Sequence, residues 1–176
     1  MLITKQQQFI LDALEKAGGL REDQIVTLLR KTFCAGKPEA ASKIAESALR
    51  QLLLCNVRLS LENHVFFLPE AGPEERRLDA VDVMLQLAGG KPIEFWRGKP
   101  PVLLRFYVQD QKMQIFSVLD AKVGATDCAF PPQERIILLF DGQGQPQTLP
   151  VSNKQFIAIR REDGGFRFFS RDGNQK

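Results

Sequence analysis

The sequence predicts an α+β protein in two parts. An N-terminal winged helix, three helices plus a β-hairpin, is expected over residues 1–70, and a mixed, largely antiparallel sheet domain with one leading helix over residues 74–172. Three observations predict this. Apolar residues recur at helical spacing three times before residue 55. The period then changes to alternation over residues 57–68. After one more helical stretch, six short runs rich in β-branched and aromatic residues follow, each bounded by turn residues.

The first helix is expected over residues 5–17. Thr4 and Gln7 have capping-box spacing, and Phe9, Ile10, Ala13, Leu14 and Ala17 repeat behind them. Gly18 and Gly19 supply the left-handed stop favoured at a helix C-terminus. Leu20 is then expected to lead into a second helix with Ile25, Leu28, Leu29 and Phe33 inward. A break over residues 34–38 precedes a third helix beginning near Pro38, with Ile44, Ala45, Ala48, Leu49, Leu52 and Leu53 on its apolar stripe. Val57, Leu59 and Leu61 then alternate with polar residues. Glu62, Asn63 and His64 turn the chain, and residues 65–68 return, which reads as a hairpin.

Pro69, Gly72 and Pro73 mark a linker over residues 70–75, and Leu78, Val81, Leu85 and Ala88 give a helix over residues 76–88 that ends at Gly89 and Gly90. Strands are expected at residues 93–96, 102–108, 113–119, 136–140, 156–160 and 166–169. The second and third read as one hairpin and the last two as another.

Composition narrows the chemistry. With 44% hydrophobic and 26% charged residues the chain is ordinary for a globular protein. No apolar run reaches the roughly 18–20 residues of a membrane span, and the first residues lack the pattern of a signal peptide, so a cytoplasmic location is expected. Cys34, Cys55 and Cys128 lie far apart and are expected to be reduced, buried thiols. His64 is the only histidine, which leaves no partner for a Ser/His/Asp triad and too few soft ligands for zinc. No catalytic residue, metal site or cofactor is therefore expected.

In a winged helix the third helix enters the major groove and the wing meets the phosphate backbone. The residues placed there are Lys37, Ser42, Lys43, Ser47, Arg50, Gln51 and Arg58, with Lys37, Lys43 and Arg50 as phosphate anchors. Glu46 shares that polar face. Nine Lys/Arg oppose eight Asp/Glu over residues 1–70, so a single copy should bind DNA weakly unless it dimerises or is tethered to a partner. Two Asp-x-Lys strings, at Asp110/Lys112 and Asp120/Lys122, match the weak signature of a Mg²⁺-dependent nuclease. Their acidic partner would be Asp79, Asp82 or Glu94. A three-residue match of this kind is common by chance, and solvated strand-end charges are the ordinary reading. Residues 141–145 are expected to form a turn rather than a phosphate loop, having neither the lysine nor a following helix. Trp96, flanked by Arg97 and Lys99, is expected in the core more readily than on a base.

The opening TKQQQFILDALEKAGGLREDQIVTLL, the wing ending VFFLP, the helix over residues 76–88, and the runs PVLLRFYV, MQIFSVL and ERIILLF resemble the replication-relaxation type proteins of plasmids and conjugative elements in Gram-positive bacteria. That resemblance implies a winged helix followed by a degenerate restriction-nuclease-like domain. Where better-preserved members carry an acid on a central strand, this chain has Arg105, which cannot ligate Mg²⁺. The expectation is a non-enzymatic accessory or regulatory protein that holds double-stranded DNA, with a homodimer or partner protein engaged through the C-terminal domain. The alternatives are a protein-interaction module without DNA and a Mg²⁺-dependent nuclease.

Overall fold

In the computed structural model, which describes residues 2–55, 59–70, 72, 74–121, 130–142 and 152–170, helix α1 (Lys5–Ala17) begins at the expected capping box. Thr4 Oγ1 accepts the Gln7 backbone N–H at 3.2 Å and Gln7 Oε1 accepts that of Thr4 at 2.9 Å. The helix ends at Gly18, whose φ of +83° lets its N–H close on the Leu14 carbonyl at 2.8 Å.

Beyond Gly19 the chain departs from expectation. Leu20 does not enter the second helix: Leu20–Arg21 is a short strand, β1, and α2 (Glu22–Phe33) starts after it. Gln24 secures that start, its Oε1 accepting the Arg21 N–H at 3.0 Å. α3 (Ala40–Leu54) begins two residues later than expected. The hairpin strands β2 (Ser60–Glu62) and β3 (Val65–Phe67) meet at Asn63 and His64, whose φ values of 48° and 64° identify a two-residue type I′ turn. The strand order β1-β3-β2 is antiparallel throughout, with Leu20 opposite Phe66 and Leu61 opposite Phe66 from the other side. This is the winged-helix arrangement. As the middle strand, β3 is buried at all three residues instead of alternating.

The core of this unit contains Ile10, Leu14, Leu20, Ile25, Leu29 and Leu52, each under 2% exposed or at that level. Some residues expected inward lie further out. Leu53 is 38% and Phe33 39% exposed, Ile44 is half-buried, and Phe33 meets Phe9 edge-on with ring centroids 5.3 Å apart. A helix buries about a 100° stripe, and Ala41, Ala45, Ala48, Leu49 and Leu52 already fill that of α3. The same geometry corrects Cys55, which is exposed just past the end of α3, whereas Cys34 is buried; Cys128 lies outside the described residues.

The chain divides into compact units Met1–Val81 and Asp82–Lys176, so the boundary falls inside α4 (Glu75–Leu87) and not at the expected linker of residues 70–75. The first half of α4 belongs to the N-terminal unit, where Gln24 Nε2 donates to the Leu78 carbonyl at 2.9 Å. The second half belongs to the C-terminal unit, where Gln86 accepts the Phe166 N–H and donates to its carbonyl, both at 2.8 Å.

The C-terminal unit is a six-stranded mixed sheet in the order β4-β5-β6-β7-β8-β9. The strands are β4 (Glu94–Arg97), β5 (Val102–Gln109), β6 (Met113–Asp120), β7 (Glu134–Phe140), β8 (Gln155–Arg160) and β9 (Phe166–Ser170). β4 with β5, β5 with β6 and β8 with β9 are antiparallel, while β6 with β7 and β7 with β8 are parallel. β7 therefore has a parallel neighbour on each side, and its Ile136, Ile137, Leu138 and Leu139 are all at most 2% exposed. Among the described residues no helix is long and apolar enough to cross a membrane.

Two stability outcomes follow. A Cβ on Gly18 would stand 2.9 Å from Arg77 Nη1 in a left-handed conformation, so Gly18→Ala should lower the unfolding free energy by about 1–2 kcal/mol in urea titration. His64→Gly should raise it by about 0.5–1 kcal/mol, because glycine adopts the second position of a type I′ turn without the Cβ penalty.

Candidate nucleic-acid interface

Helix α3 turns its polar residues outward because its inward stripe is filled with alanine and leucine. Ser42, Lys43, Ser47, Arg50 and Gln51 are exposed on it, and Lys37 is exposed on the turn before it, where its N–H donates to the Cys34 carbonyl at 3.0 Å. Arg58 lies outside the described residues. Lys37, Lys43 and Arg50 form no ion pair among the described residues. Gln51 is engaged, its Oε1 accepting Gln7 Nε2 at 2.8 Å, which ties the C-terminal half of α3 to the buried side of α1.

These residues do not form one patch. Lys43, Ser47 and Gln51 line a cleft shared with Thr4 and Gln6 at the start of α1. Ser42 lines a different groove, together with Arg21 and Arg30 of the β1–α2 segment and His64 at the wing tip. Arg21, Arg30 and His64 were not expected here. Only the turn signal at Asn63 and His64 pointed towards the wing tip in sequence, and nothing local placed it near Arg30. Glu22 and Asp23 line the same groove and offset its positive charge. Across residues 1–81 eleven Lys/Arg meet eleven Asp/Glu, so the net positive charge of the chain resides in residues 82–176, with thirteen against ten.

Asp110 and Lys112 occupy the β5–β6 turn and are exposed, while Asp120 closes β6 and Lys122 lies outside the described residues. Asp79 is 3.7 Å from Arg76, Asp82 pairs with Arg160 at 3.0 Å, and Glu94 opens the edge strand β4. Among the described residues no group of three or more His, Cys, Asp or Glu is placed to hold a metal ion. Trp96 is half-buried and packs on Tyr107, with centroids 5.3 Å apart.

Arg105 has a role that composition did not suggest. On the sheet it faces Ser117 of β6, and its Nε donates to Ser117 Oγ at 2.9 Å and lies 3.2 Å from Glu134 Oε1 at the start of β7. Ser117 Oγ in turn donates to the same carboxylate oxygen. Glu134 is 2% exposed, and its backbone carbonyl accepts Asn153 Nδ2 at 2.9 Å. The three polar side chains thus satisfy one another across the change from antiparallel to parallel pairing, where an unpaired charge would be costly. The only sequence signal was an acid opening the apolar run ERIILLF.

Removing that carboxylate should be felt in stability: Glu134→Ala is expected to cost about 3 kcal/mol in urea unfolding, tempered by the part-exposure of Arg105, and Glu134→Gln clearly less. Comparison of the chain with protein-family models, with curated protein sequences and with solved structures returned no match.

Proposed function

We propose that the N-terminal unit binds double-stranded DNA, with the outer face of α3 in the major groove and the Asn63–His64 turn beside the phosphate backbone. The observation that carries this reading is the pair Lys43 and Arg50, exposed on one side of α3 and without an ion-pair partner among the described residues. A winged helix presents this surface of its third helix to DNA. The role is that of a non-enzymatic accessory or regulatory protein, and its placement on a plasmid or conjugative element rests on the sequence resemblance alone.

Three cations at the interface, Lys37, Lys43 and Arg50, set the strength of binding. A slope of about −0.9 per neutralised phosphate corresponds to a fall of roughly 40-fold in affinity between 50 and 200 mM salt. Binding of this kind suits a pair of linked copies, each contributing one helix. A second reading, a protein-interaction module, is favoured by one feature: eleven acidic residues balance eleven basic ones over residues 1–81, and Glu46 sits between Lys43 and Arg50.

Fluorescence polarisation with a labelled duplex separates the two. Binding at 50 mM salt that fades with added salt is expected, and Lys43→Glu with Arg50→Glu should weaken it by at least about tenfold. Both residues are exposed, so the melting temperature should stay nearly constant. Equal affinity of the double variant and the unaltered protein would refute the assignment of this face.

A further inference from the structure

We propose that the C-terminal unit binds a small planar carboxylate in the groove between the end of α4 and the sheet. The groove encloses about 500 Å³ and is lined by Phe116, Ile137, Phe156 and Phe168, with Arg135 among them. That volume falls in the ~300–1,000 Å³ range of small-molecule sites, and a mainly apolar lining with a few polar groups, here Arg135, Asp110, Gln109 and Gln114, is their usual chemistry.

Arg135 supplies the argument for an anion. It is half-buried, and its guanidinium carbon lies 5.6 Å from the centroid of the Phe116 ring. Among the described residues no carboxylate lies within ion-pair range of it. The other half-buried arginine of this unit, Arg105, has Glu134. A guanidinium held against an aromatic ring keeps its in-plane N–H groups available, and these match a carboxylate with two parallel hydrogen bonds. The phenylalanine rings beside it accept a flat apolar body by offset stacking.

Arg135 and Asp110 are the two charged side chains of the lining. At the end of α4 the Leu85 and Ala88 carbonyls are capped, accepting the Gly90 N–H at 2.7 Å and the Lys91 N–H at 3.1 Å. Asp110, the carboxylate at the rim, is exposed to water on the β5–β6 turn.

Isothermal titration of the full chain tests this, with benzoate, 2-naphthoate and indole-3-acetate as probes, each beside its uncharged amide. At least one acid should bind about tenfold or more tighter than its amide. Arg135→Gln should reduce that acid to the level of the amide, and Val108→Trp, which fills the groove from β5, should weaken both. Absence of binding by every probe would overturn the proposal. So would an acid preference that survives Arg135→Gln, or full binding by Val108→Trp.

Discussion

Because the backbone turns through a φ of +83° at Gly18, α1 stops at Ala17 and the next residues run extended beside β3. This constraint organises the N-terminal unit. Leu20 becomes a fully buried strand residue opposite Phe66, so β3 has a paired neighbour along each edge, and all three of its residues are buried. With β3 closing the floor of the core, each helix needs to contribute only one apolar stripe. The polar side of α3 is thereby left in water, and the proposed DNA contact depends on that exposure.

The C-terminal unit solves a different problem. Its sheet changes from antiparallel to parallel pairing at β6 and β7, and both neighbours of β7 are parallel to it. Strands in such a position read as continuous apolar runs, and their register is not fixed by alternation. Here Arg105, Ser117 and Glu134 link β5, β6 and β7 in the observed register. A slip of two residues would keep every apolar side chain on its own face but would part Glu134 from both donors. Buried ion pairs are weak contributors to stability compared with apolar packing, and in some proteins their best-attested role is to set register.

Much of this fold could be read from the chain because its signals are local. Thr4 with Gln7, the Gly18–Gly19 stop and the hairpin turns each act within a few residues, and the elements they bound lie within a residue or two of expectation. β1 escaped because a two-residue strand has no period of its own and exists only through pairing with β3, some 45 residues away. Glu134 and Arg135 escaped for the same reason: an acid and a base opening an apolar run look like strand-end charges until the neighbouring strands are known. The candidate contact face was legible residue by residue, as each side chain on α3 was expected to be exposed. Its division between two grooves was not, since that depends on where α1 and the wing tip lie around the helix.

The brevity of the wing limits what the N-terminal unit can touch. Strands of three residues joined by a two-residue turn extend only about 10 Å from their base. If the unit holds DNA as proposed, a flap of that length would reach a neighbouring strand of the duplex but be too short to track along the minor groove. Sequence discrimination by one copy would then rest on the handful of base pairs beneath α3, and a longer operator would have to be assembled from repeated half-sites.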